Sequence, residues 1–225
     1  MQHVKHLFFD LDHTLWDFNV NSKLTFQQIF ERHRVNVDIS DFIPIYEPIN
    51  TKYWQLFRHN QISKEDLRYA RLREAFDVLE FKADDALISV LSEDYIRDLA
   101  DFNQLFPYTT EILTHLKSIY KLHIITNGFR DVQERKMKSS RINHFFETVT
   151  TPDEAKSKKP NPDIFAYALG LAHAEKNESL MIGDNIDADI QGARNFGIDA
   201  VLFGKDDTFD GPQITCLSEL KTLLQ

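Results

Sequence analysis

Short apolar runs alternate with amphipathic stretches along most of the chain. The runs have the length and composition of buried strands, and they occupy residues 4–9, 122–126, 148–150, 179–183 and 200–204. Apolar residues recur with helical spacing between most of these runs, at residues 108–119, 130–140, 162–173 and 187–196. Strands that alternate with helices favour a parallel sheet covered on both faces. The pattern therefore predicts an α/β fold with a Rossmann-like, mainly parallel sheet and helices on both faces.

One long segment breaks this alternation. Residues 16–102 contain no convincing strand, whereas four stretches have helical spacing, at residues 19–34, 41–60, 63–81 and 84–100. Ser63 followed by Asp66 is typical of a helix start. All seven glycines lie beyond residue 127, which also separates the two regions. We therefore expect an all-helical cap domain at 16–102, inserted into an α/β core formed by residues 1–15 and 103–225.

Composition limits the classes of function. The 225 residues are 42% hydrophobic and carry a formal charge of −9, which argues against binding to a nucleic acid polymer or to anionic lipid. No apolar stretch approaches the roughly 20 residues of a membrane-spanning helix. The apolar residues before Asp10 are too few for a signal peptide, and the single cysteine, Cys216, cannot form an internal disulfide. We expect a cytoplasmic protein with no membrane partner.

Polar side chains follow the first two predicted strands. In open parallel sheets, ligands bind beyond the carboxyl ends of the strands. Asp10 and Asp12 follow the first run, where two carboxylates can share a hard cation or divide nucleophilic and acid–base work. Thr126 and Asn127 follow the second run, where a hydroxyl and a backbone N–H would suit a phosphate oxygen. Taken alone, the first pair is equally consistent with an acidic loop that caps a strand, and Thr126 with an ordinary helix cap.

Two later segments add charge at the same predicted edge. Lys159 directly precedes a Pro-x-Pro turn at a helix start, which would stiffen the segment and aim the ammonium inward. Asp184 directly follows the fourth run and is the preferred direct metal ligand. Asp189 is expected to lie behind the direct ligands, and Asp187 to be an exposed acid at a helix start.

Together these residues resemble the four motifs of the haloacid dehalogenase-like (HAD) hydrolase superfamily. DLDHT at 10–14 is similar to the nucleophile motif, Thr126 to the second motif, Lys159 to the third, and GDNIDAD at 183–189 to the fourth. The resemblance covers essentially the whole chain, because a helical cap inserted after the first motif is also a family arrangement. Four motifs in order, each at the end of a predicted strand, are far more specific than any one of them.

The resemblance implies a Mg²⁺-dependent phosphatase that works through a covalent intermediate. Asp10 would attack phosphorus to form an aspartyl-phosphate, while Asp12 would protonate the leaving oxygen and then activate water. Asp10, Asp184 and the backbone carbonyl of Asp12 would hold Mg²⁺. The phosphate would be bound by Lys159, by Thr126 and by backbone amides near Leu11, Asp12 and Asn127.

The substrate is inferred from longer stretches. DLDHTLWDF, TNGF at 126–129 and KKPNPDIF at 158–165 are most similar to the pyrimidine 5′-nucleotidase branch. The expected partner is therefore a small-molecule phosphate ester, a nucleoside 5′-monophosphate, bound by a monomer or homodimer. Trp16 and Phe18 follow the nucleophile loop and are candidate contacts for substrate selection.

Other functions remain open at this point. The alternatives within the superfamily are a sugar-phosphate phosphatase and a phosphomutase. A dehalogenase would use the same aspartate nucleophile, but the resemblance implies that such relatives lack the second acid, Asp12. A non-catalytic regulatory protein with this fold is the alternative from a different class, and the intact set of acidic residues and Lys159 disfavours it.

Overall fold

The computed structural model describes residues 3–224, which form two compact units. The α/β unit comprises the described chain up to Phe18 and from Asn103 onward, and the helical unit comprises Asn19–Phe102. The first boundary lies three residues later than the sequence analysis placed it. The reason is local pairing, because Trp16 forms backbone bridges to Asp12 and to Leu105 within the α/β unit.

The α/β unit is built on a six-stranded parallel sheet. Its strands are β1 His6–Phe9, β2 Lys121–Ile125, β3 Thr148–Thr150, β4 Ser179–Gly183, β5 Asp199–Phe203 and β6 Gln213–Ile214. The strand order is β3-β2-β1-β4-β5-β6, and every neighbouring pair is parallel. The predicted parallel α/β sheet is thereby confirmed. β6 was not predicted, because two residues are too few to show an alternating pattern.

The described residues also form ten α-helices. They are α1 Phe18–His33, α2 Ile39–Arg58, α3 Lys64–Val78, α4 Asp85–Asp98, α5 Thr109–Lys117, α6 Arg130–Ser139, α7 Pro152–Ala155, α8 Pro162–Ala172, α9 Gly192–Phe196 and α10 Leu220–Leu223. The short helices α7 and α10 were not predicted. The helix expected at 187–196 is divided into a π-helix, Ile186–Gln191, and α9. Between residues 3 and 224, every helix is too short or too polar to cross a lipid bilayer.

Helices cover both faces of the sheet. Phe8 of β1 and Met181 of β4 are buried in one cluster with apolar residues of α8 and α9. Side chains alternate along a strand, so the equally buried Leu7 and Phe9 point to the opposite face. The apolar side of α5 is buried, and this helix contacts β2. Because β1 and β4 are buried throughout, the sheet is a rigid support for the residues that follow each strand.

The segments through which the chain leaves and re-enters the α/β unit are hydrogen-bonded to each other. The backbone N–H of Asp17 donates to the carbonyl of Gln104 at 3.0 Å, and the N–H of Phe106 donates to the carbonyl of Leu15 at 3.0 Å. Trp16 and Leu105 form an antiparallel bridge between these two bonds. This two-stranded stem, formed by residues 15–17 and 104–106, closes the α/β unit at the point of insertion.

The helical unit has an aromatic core. Phe26 of α1 packs against the rings of α2 and α4, with its centroid 4.5 Å from that of Tyr95. The other rings in this buried cluster are Phe30, Phe42, Tyr46 and Phe76. At the start of α3, Ser63 and Asp66 form the two hydrogen bonds of a capping box, as their spacing predicted. Large rings packed against one another therefore form the centre of this core.

Candidate active site

Asp10 and Asp184 lie at the carboxyl ends of two adjacent strands. β1 ends at Phe9, β4 ends at Gly183, and Phe9 stands opposite Ile182 in the parallel register. The strand order changes direction between β1 and β4, which is where open α/β sheets bind ligands. One carboxylate oxygen each from Asp10, Asp184 and Asp189 lies within 4.8 Å of the other two. The structure thus brings three of the residues named from the sequence into one cluster.

Asp189 reaches this cluster from the π-helix that follows β4. The side chain of Asn185 accepts from the N–H of Ala188 and caps this helix, while Asp189 Oδ2 accepts from the N–H of Asn185 at 3.0 Å. Gly183 leaves the space that the carboxylate needs, because a Cβ at this position would lie 2.4 Å from the Asp189 carboxyl group. Asp189 is 1% exposed, so its charge must be compensated by neighbouring groups.

Lys159 supplies that compensation. Its ammonium contacts Asp10 Oδ1 at 2.6 Å and Asp189 Oδ1 at 2.7 Å, and it donates to the carbonyl of Ile125 at 2.6 Å. The side chain is 2% exposed, as expected if the turn before α8 directs it inward. Lys159 therefore joins the ends of β1 and β2 to the π-helix after β4.

Asn127 fixes the backbone that carries Lys159. The Asn127 amide group donates to the carbonyl of Lys159 at 2.9 Å and accepts from its N–H at 2.8 Å. From the sequence, only the backbone N–H of Asn127 was expected to take part in the site. The side-chain role needs a partner 32 positions away, and no local pattern reveals such a pairing.

The cluster contains more negative than positive charge when all groups are ionised. Burial raises the pKa of Asp10 to about 7, although the Lys159 ammonium opposes the rise. Burial, with repulsion from Asp189 and Asp10, raises the pKa of Asp184 well above its usual value. Burial acts to lower the pKa of Lys159, but the carboxylates of Asp10 and Asp189 outweigh it and raise this pKa. A divalent cation would relieve this excess, and carboxylate oxygens are the ligands that hard cations prefer.

Asp12 is held by a second lysine rather than by Lys159. Lys136 Nζ contacts Asp12 Oδ1 at 2.5 Å, and Gln133 Nε2 donates to Asp12 Oδ2 at 2.9 Å. Both partners come from α6 and are almost fully buried, with exposures of 2% and 1%. The Asp12 side chain itself is 22% exposed. Its carboxylate is thus bound on two oxygens while part of its surface stays accessible.

Two threonines line the same end of the sheet. Thr126 Oγ1 accepts from Gln133 Nε2 at 2.8 Å and from the N–H of Gly128 at 3.1 Å, so it lies in the same network as Asp12. Thr14 Oγ1 donates to Asp184 Oδ1 at 3.3 Å. Thr14 belongs to the DLDHT stretch but was not assigned a role from the sequence.

Leu11, Trp16 and Phe18 are all buried. The carbonyl of Leu11 accepts from the N–H of Leu15 and of Trp16, which bends the chain directly after Asp10. The Trp16 and Phe18 rings meet edge to face, with centroids 6.1 Å apart, and the Lys136 ammonium lies 4.3 Å from the Trp16 ring centroid. Phosphate binding by backbone amides near Leu11 and substrate selection by Trp16 and Phe18 stay predictions.

His13 does not continue an extended segment. Its φ of 63° lies in the left-handed region, and its ring packs 4.9 Å from that of Phe18. The backbone therefore turns at His13 instead of continuing as a strand beyond Asp10 and Asp12. Burial of the ring lowers the pKa of His13.

Gln133 and Lys136 are the residues that sequence reasoning missed. They lie one helical turn apart on α6, on the same side as the buried Val132 and Met137. Polar residues on the apolar face of a helix indicate buried side chains that have a polar partner, because burial of an unpaired lysine is costly. The neighbouring lysines and arginines of α6 hid that signal within a generally basic helix.

The chain is similar to enzymes of one family along most of its length. The haloacid dehalogenase-like hydrolase family matches residues 7–203. Pyrimidine 5′-nucleotidase PynA of Streptococcus pneumoniae is 31% identical over 88% of this chain and 83% of that protein. A glyceraldehyde 3-phosphate phosphatase of Methanothermobacter thermautotrophicus is 32% identical over 90% and 87% of the two chains.

A solved structure agrees with these similarities. The HAD-hydrolase YfnB from Bacillus subtilis, bound to magnesium, superposes with a TM-score of 0.90 at 25% identity and covers 98% of both chains. The matched family spans β1 to β5 and therefore includes Asp10, Lys159 and Asp184. On this evidence, the chain belongs to the haloacid dehalogenase-like hydrolases.

Proposed function

We propose that this protein is a Mg²⁺-dependent phosphatase that hydrolyses small phosphate monoesters through an aspartyl-phosphate on Asp10, with pyrimidine nucleoside 5′-monophosphates as preferred substrates. One observation carries the proposal: Asp10 contacts Lys159 at 2.6 Å, and its carboxylate lies within 4.8 Å of those of Asp184 and Asp189. This arrangement combines a carboxylate nucleophile, a fixed cation and a cluster of hard oxygen ligands. Such groups are the usual requirements of phosphoryl transfer.

The residues present fit a magnesium ion. Asp10 and Asp184 would hold it through carboxylate oxygens, and the backbone carbonyl of Asp12 is the third predicted ligand. Asp189 is already engaged by Lys159 and by the N–H of Asn185, which supports its assignment behind the direct ligands. When bound, Mg²⁺ would offset the charge of the phosphate and polarise its oxygens.

The reaction would proceed in two displacements. In the first, the Asp10 carboxylate attacks phosphorus, the bond between phosphorus and the ester oxygen breaks, and Asp12 gives its proton to the leaving oxygen. In the second, water attacks the phosphorus of the aspartyl-phosphate, Asp12 takes a proton from that water, and the bond to Asp10 breaks to release phosphate. One difficult substitution is thereby replaced by two easier ones.

Lys159 and Thr126 would orient the phosphate during both displacements. Carboxylates repel a phosphate dianion, and two unit charges at 4 Å interact by about 1 kcal/mol in water and about 4 kcal/mol at an effective dielectric constant of 20. The Lys159 ammonium, which is already buried among these carboxylates, reverses part of that repulsion. Backbone amides near Leu11, Asp12 and Asn127 are proposed to bind the remaining phosphate oxygens.

The helical unit, Asn19–Phe102, is proposed to serve as the cap that selects the substrate. The pyrimidine nucleotidase relative, at 31% identity over 88% of this chain, supports a nucleoside 5′-monophosphate. Trp16 and Phe18 are the proposed contacts to the base. A sugar-phosphate phosphatase is the second candidate, because the glyceraldehyde 3-phosphate phosphatase relative is 32% identical over 90% of this chain.

A substrate panel tests both candidates. Uridine 5′-monophosphate, glyceraldehyde 3-phosphate and p-nitrophenyl phosphate would be assayed for phosphate release with Mg²⁺ and after removal of metal by EDTA. We expect Mg²⁺-dependent release from all three and the highest kcat/KM for the nucleotide. A clear preference for the sugar phosphate would replace the nucleotidase assignment. Absence of hydrolysis across a broad panel would refute the phosphatase proposal, and isomerised sugar phosphate without phosphate release would indicate a mutase.

A further inference from the structure

We infer that Gln133 and Lys136 of α6 are positioning residues that hold the Asp12 carboxyl group in the orientation needed for its proton to pass to the leaving oxygen. The inference deepens the proposed function and rests on it, because it takes Asp12 as the group that protonates the leaving oxygen. Lys136 and Gln133 lie outside the four family motifs that were recognised in the sequence.

The contacts define the plane of the carboxylate. Lys136 Nζ binds Asp12 Oδ1 at 2.5 Å, and Gln133 Nε2 binds Oδ2 at 2.9 Å. One donor on each oxygen restricts rotation about both side-chain torsions of Asp12, whereas a single donor would leave one of them free. Gln133 and Lys136 are three positions apart on one helix, so α6 presents both donors to the same carboxylate.

The donors are themselves fixed. Gln133 Nε2 also donates to Thr126 Oγ1 at 2.8 Å, which ties the Asp12 carboxylate to the end of β2. Gly128 allows this approach, because a Cβ there would lie 2.3 Å from the Gln133 side chain. The Lys136 ammonium lies 4.3 Å from the Trp16 ring centroid and 5.2 Å from that of Phe18. Aromatic faces attract a cation without removing it from the carboxylate.

The two donors to Asp12 are buried, so their contacts differ from those of an ion pair on the protein surface. Lys136 is 2% exposed and Gln133 is 1% exposed, while the Asp12 side chain keeps 22% of its surface. The supporting groups are therefore enclosed, and the group they support is accessible. This difference is expected for a positioning function, since a misplacement of about 1 Å at a reacting group can cost about 10²-fold in rate.

The test uses the dependence of rate on the leaving group. Alkyl phosphates release a strongly basic alkoxide and need a proton from Asp12, whereas p-nitrophenyl phosphate releases a stable anion and does not. The parameter kcat/KM reports the steps up to departure of the alcohol, so it isolates the proton transfer to the leaving group. We expect Lys136→Met to lower kcat/KM for a nucleoside monophosphate by about 10²-fold and for p-nitrophenyl phosphate by less than about threefold.

A double-mutant cycle separates positioning from other roles. If Lys136 acts through Asp12, Asp12→Asn combined with Lys136→Met should be no slower on the nucleotide than Asp12→Asn alone. Equal losses on both substrates would show instead that Lys136 binds the phosphate or only supports the fold. Additive losses in the double variant would refute the inference as well. Lys138→Met changes an exposed lysine on the same helix and is the matched control, expected to match the wild type on both substrates.

A second variant covers the case in which Lys136→Met does not fold. Gln133→Met removes the other donor without changing the net charge, and we expect the same selectivity with a loss of about tenfold on the nucleotide. An unselective effect of this variant would contradict the inference. Failure of the proposed function would look different, since the wild type would then show no Asp10-dependent hydrolysis of either ester.

Discussion

The two units of this protein use buried carboxylates in opposite ways. In the helical unit, Asp94 contacts Arg32, Arg97 and His33 at 2.5 to 2.9 Å. Burial acts to raise the pKa of Asp94, but hydrogen bonds from Arg97, His33 and Arg32 outweigh it and hold this pKa well below its usual value. In the α/β unit, burial raises the pKa of Asp10 to about 7 even though Lys159 contacts it.

The difference lies in how completely the charge is compensated. Asp94 has several basic partners, whereas Lys159 is shared between Asp10 and Asp189, and Asp184 adds further negative charge. A carboxylate with sufficient partners stabilises the fold, while a cluster with too few destabilises the metal-free protein. On the proposed function, the cluster at the end of β1 lowers the stability of the metal-free protein and in return can bind a cation and a phosphate.

Replacement of Asp10, the proposed nucleophile, should produce the largest effect. Asp10→Asn removes the attacking carboxylate, and we expect at least about a 10⁴-fold loss of kcat with the fold preserved, because one of three mutually repelling carboxylates is neutralised. Phosphate release and thermal unfolding without metal would be measured together. Asp199→Asn, at the exposed start of β5, is the control. Near-wild-type turnover in Asp10→Asn would exclude the covalent route.

Magnesium should stabilise the α/β unit. A ligand at 100 times its dissociation constant adds about 2.7 kcal/mol to the free energy of unfolding, so we expect the Tm to rise with Mg²⁺ concentration. Asp184→Asn should abolish most of that rise and should raise the Tm of the metal-free protein, since repulsion within the cluster falls. A Tm that is insensitive to Mg²⁺ in the wild type would argue against the metal site.

Buried histidines are a third case, found at the start of β1 and in the middle of β2. His6 Nδ1 lies 3.0 Å from His123 Nε2, and burial lowers the pKa of His123 to about 4. A depressed pKa means that the folded state favours the neutral ring, so this stability is present above pH 6.5 and is lost as the pH falls from 6.5 towards 4.

The expected pH dependence is at most about 1.4 kcal/mol per pH unit for one such group. Denaturant unfolding between pH 7 and pH 4 would measure it, and His123→Phe should flatten the profile over that range. A profile unchanged in His123→Phe would show that this histidine does not control the slope.

The smallest effect should come from the charged network of the helical unit. Asp94→Asn weakens partly exposed ion pairs, so we expect the free energy of unfolding to fall by up to about 1 kcal/mol with kcat unchanged. Glu93→Gln changes the neighbouring exposed residue of α4 and serves as its control. A large loss of kcat in a folded Asp94→Asn variant would contradict the proposed division between stabilising and functional carboxylates.

The sequence predicted the parts of the site that depend on strand ends. Asp10, Thr126 and Asp184 each follow an apolar run, and parallel strands bring such positions to one edge. Gln133 and Lys136 were missed because they act from the middle of a helix, where lysine is usually solvated. Which side of α6 faces Asp12 depends on packing across the sheet, and helical periodicity alone does not specify the partner.

Backbone detail was less predictable than the order of elements. The helix expected at 187–196 begins as a π-helix, whose hydrogen bonds span five residues instead of four, and six residues are too few for the apolar pattern to show the change. That difference decides where Asp189 points. The left-handed conformation of His13 was also hidden, since nothing in the DLDHT stretch requires it.

The stem formed by residues 15–17 and 104–106 makes the insertion modular. Because Asp17 and Gln104 are hydrogen-bonded at 3.0 Å, a short hairpin turn could span the same gap that 84 residues of the helical unit now bridge, Asn19–Phe102. Exchange of the insert for another segment would then leave the backbone around Asp10 in place. If the insert selects the substrate, as proposed, a change of insert would change the substrate without a change in the residues at the strand ends.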